Sequence, residues 1–121
     1  MDPKKVLVVD DNEDVLQIMS FLLKELGAEP VTAHGGQAGV DAALEHKPDL
    51  ILLDVMMPDL PGGDVAAVLK EHEETAEIPV AFLTGLASEQ DTRRKPSAGY
   101  RFISKHLSPE EIKKEIEKLL A

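Results

Sequence analysis

Short runs of β-forming residues alternate with amphipathic segments along the chain. The runs at residues 6–9, 30–33, 50–53, 78–84 and 100–104 predict five short strands. Between them, apolar residues recur at helical spacing. This alternation predicts a doubly wound α/β fold, in which right-handed crossovers build a parallel sheet covered by helices on both faces.

Capping signals place the ends of the first and last predicted helices. Asn12 is suited to the N-cap of the first helix and Gly27 to its C-terminal end. Ser108 and Glu111 form a capping box around Pro109 at the start of the last helix. The apolar stripe predicted for the first helix consists of Val15, Ile18, Met19, Leu22, Leu23 and Leu26.

Between strands four and five, a shortened fourth helix is predicted among five in total. It would begin at Ser88 and stop before Pro96 after about two turns. The residues 71–77 that precede strand four are predicted to be a solvated connection. A five-stranded sheet of this kind commonly has the strand order 2-1-3-4-5, which brings strands one and three together at the switch point.

The composition restricts the classes of partner. The 121 residues suit a single domain, residues 1–121, and 23 acidic against 13 basic residues give a net charge of −10. Such a chain repels nucleic acid and anionic membranes, so proteins are its expected partners. It contains no cysteine and no apolar run of membrane-spanning length. We expect a cytoplasmic protein without direct contact to nucleic acid or membrane.

Three carboxylates follow strands that should be neighbours. Asp10 and Asp11 come at the end of strand one, and Asp54 ends strand three. Carboxylates brought together at one edge of a sheet repel one another unless a cation lies among them. Mg²⁺ suits this set better than Ca²⁺, which requires more protein oxygens, or zinc, which prefers nitrogen and sulfur.

Two further strand ends supply groups that phosphoryl transfer requires. Asp54 is the candidate nucleophile, forming an acyl phosphate beside the metal. Thr84 ends strand four and Lys105 follows strand five, so a hydroxyl and a fixed positive charge would face the phosphoryl oxygens. Gly85 has no side chain to obstruct the approaching group.

Four segments, VLVVDDNEDV, LILLDVMMPDLPGG, FLTGL and YRFISK, together resemble the receiver domain of two-component response regulators, whose fold is flavodoxin-like. The resemblance covers the whole chain. It implies phosphorylation of Asp54 and a Mg²⁺ site formed by Asp10, Asp11, Asp54 and the backbone carbonyl of Met56. It also implies phosphate binding by Thr84, Gly85 and Lys105, and switch positions at Thr84 and Phe102.

The resemblance also implies partners and exposes departures. A sensor histidine kinase or phosphotransfer protein would donate the phosphoryl group, an output protein or domain would respond, and phosphorylation-linked dimerisation is a candidate.

Family members usually carry a cis proline after the lysine, whereas this chain has His106. A cis bond before a non-proline residue costs roughly 3 kcal/mol, so the loop either holds a strained peptide or is trans. Pro96 and the basic residues 93–95 should reshape the face around the fourth helix.

Two alternative functions stay open on the sequence. A degenerate receiver would bind partners without phosphorylation. A phosphohydrolase of the haloacid dehalogenase type would need a second aspartate two residues after Asp54, where this chain has Met56. We therefore expect a signalling module that mediates only its own phosphoryl transfer and hydrolysis, and not an enzyme acting on separate substrates.

Overall fold

The strands of this computed structural model, which describes residues 3–85 and 101–120, form one parallel sheet. They are β1 (Lys5–Asp10), β2 (Glu29–His34), β3 (Leu50–Asp54), β4 (Val80–Thr84) and β5 (Arg101–Ser104). Their order is β2-β1-β3-β4-β5, with every neighbouring pair parallel. The predicted flavodoxin-like topology is confirmed.

Four helices connect or follow the described strands. They are α1 (Glu13–Glu25), α2 (Gly36–His46), α3 (Gly62–Glu71) and α4 (Pro109–Leu120). The additional short helix predicted from Ser88 to Pro96 lies outside the described residues. In the part of the chain that the structure covers, no helix combines the length and apolar character that a bilayer crossing requires.

The sheet separates two apolar cores. Alternate residues of β1 and β3 face opposite sides, and all the apolar residues of these two strands are buried. On one face, α1 and α4 bury Leu23 and Ile116 against the sheet. On the other face, α2 and α3 bury Val40 and Leu69. Burial on both faces explains why these strands are continuous apolar runs rather than alternating ones.

The predicted capping residues act as expected. The Oδ1 atom of Asn12 accepts hydrogen bonds from the backbone N–H groups of Asp14 at 2.9 Å and Val15 at 3.3 Å. Ser108 and Glu111 exchange side-chain to backbone hydrogen bonds of 3.1 and 3.2 Å. Gly27 has a φ of +79°, a left-handed conformation that favours glycine at the end of α1. Local sequence therefore determines where α1 and α4 begin.

Strand four and the segment before it differ from the prediction. The strand begins at Val80 rather than at residue 78, because the N–H of Ile78 bonds back to Thr75 in a turn. Residues 71–77 are not wholly solvated either. Thr75 is buried, and its hydroxyl donates a 2.6 Å hydrogen bond to the carbonyl of Leu69. Thr75 thus provides a hydrogen bond to a carbonyl near the end of α3. The polar residues around it in the sequence gave no indication of this role.

The buried stripe of α1 also differs from the prediction at two positions. Ile18 is 55% exposed, whereas Leu16, absent from the predicted stripe, is buried. The face of α1 that carries Leu16, Met19 and Leu23 packs against the sheet, and this leaves Ile18 on the outer side. Periodicity alone did not define the edge of the buried face.

Glycine at position 39 is a packing requirement of α2 that a substitution can test. A Cβ there would lie 2.6 Å from Cγ1 of the fully buried Val9, a stiff β-branched side chain. We expect Gly39→Ala to lower the free energy of unfolding by about 1–3 kcal/mol, despite a helix-propensity gain of up to about 1 kcal/mol. Urea denaturation measures this change.

The matched control is Gly63→Ala in α3, where an added Cβ meets nothing within 4 Å. It should raise the free energy of unfolding by about 0.5–1 kcal/mol. Equal effects of the two substitutions would contradict the packing of α2 against β1.

Candidate functional site

The predicted site residues lie at the carboxyl edge of the sheet. Asp10 and Asp54 end β1 and β3 directly after the paired residues Val9 and Leu53. Thr84 ends β4, and Lys105 follows β5 with its N–H bonded to the carbonyl of Thr84 at 2.9 Å. Parallel strands that end at one level therefore bring these side chains to a common region, as the topology predicted.

Three carboxylates cluster at the junction of β1 and β3. One oxygen each from Asp10, Asp11 and Asp54 lies within 4.8 Å of the others. Asp10 is fully buried, Asp54 is 5% exposed and Asp11 is exposed. Two buried acids and one exposed acid thus form a pocket that opens to solvent on the Asp11 side.

The buried Asp10 carboxylate is incompletely satisfied. Its Oδ1 accepts a hydrogen bond of 2.9 Å from the N–H of Asn12. Its Oδ2 lies 2.8 Å from the ammonium of Lys105, an ion-pair contact whose angles depart from hydrogen-bond geometry. A buried oxygen without a donor of suitable geometry has capacity to coordinate a cation.

Lys105 supplies the positive charge of the cluster. Its Nζ lies 2.8 Å from Asp10 Oδ2 and 3.1 Å from Asp54 Oδ1. Burial acts to lower the pKa of this ammonium, but the two carboxylates outweigh burial and raise it. Lys105 is therefore held as a cation between two acids from different strands.

Asp54 has an environment distinct from that of a surface acid. Burial raises its pKa and the charge of Asp10 adds to this effect, while Lys105 and a backbone hydrogen bond from Met56 oppose them. The net result is a raised pKa, which makes the Asp54 carboxylate more basic than usual. Lys105 lowers the pKa of Asp54 by less than the loss of water around Asp54 raises it.

The donor set fits Mg²⁺. Around an octahedral Mg²⁺ with oxygen ligands at roughly 2.1 Å, adjacent ligand atoms lie about 3 Å apart. One oxygen from each of the three carboxylates lies within 4.8 Å of the other two, so the three converge on one region. Carboxylates are the ligand type that Mg²⁺ prefers, and the exposed side of the pocket leaves room for water and a phosphoryl oxygen. Asp10, Asp11 and Asp54 could therefore hold the ion.

The residues predicted to contact a phosphoryl group border the carboxylates. Thr84 is half-buried, opposite Ser104 in the sheet register. Gly85 is exposed, and a Cβ there would approach no atom closer than 4.0 Å. Among the described residues, nothing fills the space beside Gly85, and its predicted role in phosphate binding stays a prediction.

Met56 lies in the loop after β3. Its side chain is 67% exposed, and its backbone N–H bonds to the Asp54 carboxylate. The backbone of Met56 thus adjoins the acidic pocket, while its side chain extends into solvent. This arrangement is compatible with the predicted role of the Met56 backbone carbonyl as a Mg²⁺ ligand.

The predicted switch residue Phe102 packs as a partly buried core residue. Its ring stacks on Phe82, its register partner in β4, with centroids 5.4 Å apart and planes inclined by 26°. Both rings belong to the core on the α2 and α3 side of the sheet. A rotation of Phe102 would therefore disturb the strand that carries Thr84.

The loop after Lys105 resolves the alternative left by His106. Among the described residues no peptide bond is cis, so the bond between Lys105 and His106 is trans. The N–H of His106 donates to Ser104 Oγ at 3.1 Å, and its ring Nε2 contacts the carbonyl of Gly85. With this trans bond, the Lys105 ammonium still contacts Asp10 and Asp54.

Sequence reasoning missed Asp59, in the loop between β3 and α3. Its two carboxylate oxygens accept hydrogen bonds from the backbone N–H groups of Gly36 at 3.0 Å and Gln37 at 3.1 Å. These bonds lower the pKa of Asp59. A signal was present, because Gly35 has no side chain to cap α2 and the first N–H groups of a helix need an acceptor.

Comparisons with known proteins agree with this geometry. The family model described as "Response regulator receiver domain" matches residues 6–117. The polar-differentiation response regulator DivK of Brucella anthropi is 36% identical over 107 residues, covering 88% of this chain and 87% of DivK.

Solved structures show the same fold. The chemotaxis protein CheY4 of Vibrio cholerae superposes with a TM-score of 0.85 at 27% identity, covering 98% of this chain and 99% of that one. The signal receiver domain of a histidine kinase from Syntrophus aciditrophicus gives a TM-score of 0.80 at 28% identity, with coverage of 97% and 89%.

The family match spans nearly the whole chain, and the acidic cluster at the carboxyl edge of the sheet fits the phosphorylation that such domains undergo. The chain belongs to the response regulator receiver domains, which are signalling modules of two-component systems.

Proposed function

We propose that Asp54 accepts a phosphoryl group from a sensor histidine kinase or phosphotransfer protein in a Mg²⁺-dependent reaction, and that this modification changes a partner-binding surface. The observation that carries the proposal is the contact of the Lys105 ammonium with both Asp10 and Asp54, with Asp11 at the open side. This set supplies a nucleophile, a metal site and a fixed cation within one pocket.

In the proposed reaction a carboxylate oxygen of Asp54 attacks the phosphorus, and the bond from phosphorus to the donor histidine nitrogen breaks. The nitrogen leaves with the bond's electron pair as neutral imidazole once it is protonated. Mg²⁺, when bound by Asp10, Asp11, Asp54 and the Met56 carbonyl, would neutralise charge on the phosphoryl oxygens. Lys105, which already contacts Asp54 Oδ1, is placed to hold an oxygen of the attached phosphoryl group.

The response would pass through Thr84 and Phe102. Thr84 would turn toward the phosphoryl group, with Gly85 leaving space, and Phe102 would repack into the vacated region. The stacking of Phe102 on Phe82 in adjacent strands supports this link. Phosphorylation shifts the equilibrium between the two arrangements of Thr84 and Phe102 only if the phosphoryl group interacts more favourably with one arrangement than with the other.

The two alternatives are less well supported. A degenerate receiver does not require an acidic triad with a lysine directed at it, yet this chain has both. A phosphohydrolase would need an acid where the apolar side chain of Met56 extends into solvent. We therefore propose a module that mediates only its own phosphorylation and dephosphorylation.

The remaining expectations belong to the same proposal. They are that residues 1–121 act as one receiver domain, that the location is cytoplasmic, that an output protein or domain reads the phosphorylated surface, and that phosphorylation promotes dimerisation. They rest on the family and on the acidic composition, which disfavours nucleic acid and anionic membrane as direct partners.

The first prediction concerns the phosphorylated residue. Incubation with Mg²⁺ and a small-molecule phosphodonor should add one phosphate, visible in the intact mass. Asp54→Ala should acquire none, because the nucleophile is absent. The control Asp41→Ala removes an acid of α2 that bonds to Gln37, and it should be phosphorylated like wild type. A modified Asp54→Ala protein would contradict the assignment.

The second prediction concerns the metal. Because binding to the folded state stabilises it, Mg²⁺ at a hundredfold excess over its dissociation constant should raise the free energy of unfolding by about 2.7 kcal/mol. Asp11→Asn should lose most of this gain, whereas Glu117→Gln, an exposed acid of α4, should keep it. Urea denaturation with and without Mg²⁺ measures the difference. Equal gains in both variants would exclude Asp11 as a ligand.

The third prediction concerns the lifetime of the phosphorylated form. Met56 has no polar atom in its side chain to orient an attacking water, although that side chain is exposed beside the site. We expect slow hydrolysis in wild type and faster hydrolysis in Met56→Asn, whose amide can hold a water. Loss of the phosphorylated mass over time measures both rates. Met56→Leu, which is also apolar, is the control and should resemble wild type.

A further inference from the structure

The loop between β3 and α3 is attached to the start of α2 through Asp59. The carboxylate lies across the first turn of α2 and accepts the N–H groups of Gly36 and Gln37 through separate oxygens, at 3.0 and 3.1 Å. The residues that bond are 22 and 23 positions apart in sequence. Charge-assisted hydrogen bonds of this geometry are stronger than neutral ones.

The chain around this contact has little room for larger side chains. A Cβ at Gly35 would lie 3.3 Å from both carboxylate oxygens of Asp59, and Gly35 has a φ of +106°. A Cβ at Gly36 would lie 2.6 Å from the carbonyl oxygen of Leu60, the residue after Asp59. The loop and the start of α2 therefore approach as closely as backbone allows.

The same loop is attached at its other end to the nucleophile strand. The N–H of Gly62 bonds to the carbonyl of Val55 at 3.0 Å, and a Cβ at Gly62 would collide with the carbonyl oxygen of Asp54. Residues 55–61 are thus held at Gly62 and again at Asp59. Met56, whose carbonyl is a proposed metal ligand, lies between Val55, which accepts the bond from Gly62, and Asp59.

The start of α2, to which Asp59 bonds, is itself connected to the acidic pocket. The N–H of Gly35 donates a 3.2 Å hydrogen bond to the backbone carbonyl of Asp10. A path of hydrogen bonds therefore runs from Asp10 through residues 35–37 to Asp59 and on to the loop of Met56. It joins the two strands that carry the metal-binding residues, on the side of the pocket away from Lys105.

We propose that Asp59 is a positioning residue for the metal site, holding the Met56 carbonyl at a set distance from Asp10 and Asp54 by its contact with the start of α2. The inference rests on the proposed function, because it concerns the same Mg²⁺ site. Asp59 itself binds neither metal nor phosphate. Residues that orient metal ligands from outside commonly change metal affinity by an order of magnitude or more when they are removed.

The test is a Mg²⁺ titration of the full chain followed by the backbone amide signals in NMR. Asp59→Ala should bind Mg²⁺ about tenfold more weakly than wild type, since the Met56 carbonyl is no longer held in place. Asp59→Asn keeps one acceptor oxygen and should fall between the two. Asp64→Ala, which removes an exposed acid from the first turn of α3, controls for the lost charge and should bind like wild type.

A second readout separates positioning from mere stability. In phosphorylation by a small-molecule donor, saturating Mg²⁺ should restore most of the rate to Asp59→Ala, because the defect lies in metal affinity. In wild type, metal binding should also shift the amide signals of Gly36 and Gln37, which are bonded to Asp59. Removal of Asp59 should abolish those two shifts while the shift of Asp11 persists.

Three outcomes are informative. A dissociation constant for Asp59→Ala equal to that of Asp64→Ala, with only a lower free energy of unfolding, would overturn the positioning role and leave Asp59 as a helix cap. If Asp59→Ala does not fold, the Asp59→Asn titration decides by the same comparison. Failure of Mg²⁺ to bind the wild-type protein would instead refute the proposed function.

Discussion

The crowding of negative charge at the end of two adjacent strands is the constraint on which the site depends. Two like charges about 4 Å apart near a protein surface repel by about 4 kcal/mol, and burial of Asp10 and Asp54 adds a desolvation cost. Lys105 offsets part of this cost by contacting both acids, yet the pKa of Asp54 stays raised because burial dominates. The pocket therefore favours a further cation, which is the property that phosphoryl transfer to a carboxylate requires.

The fold makes this costly arrangement stable by keeping it at the edge of a well-packed sheet. The apolar residues of β1 and β3 that precede the acids are fully buried on both faces. The acids are thus the last residues of rigid elements, while Lys105, Met56 and Gly85 lie in the loops that follow. This placement gives precise positions to Asp10 and to the candidate nucleophile Asp54, because the strand residues before them are fully packed.

The His106 loop shows how one substitution can change local chemistry while the aim of a side chain is preserved. Family members usually carry a cis proline after this lysine, whereas here the bond is trans and His106 bonds to Ser104 and Gly85. The ring thereby joins the end of β4 to the loop after β5. Lys105 still contacts Asp10 and Asp54, so a trans bond at this position is compatible with these ion pairs.

The sequence by itself determined the fold class and the residues that end each strand, because these follow from local apolar patterns. With the common strand order of doubly wound sheets, it also predicted that Asp10, Asp11, Asp54, Thr84 and Lys105 lie at one edge. It also determined the caps of α1 and α4, which are contacts between residues close in sequence. The tertiary structure alone decided that Asp59 caps α2, that Thr75 is buried, that Ile18 is exposed and that His106 reaches Gly85. Apart from the local burial of Thr75, these depend on distances between segments far apart in the chain. Such distances are set by how whole elements pack, and no local pattern of residues encodes them.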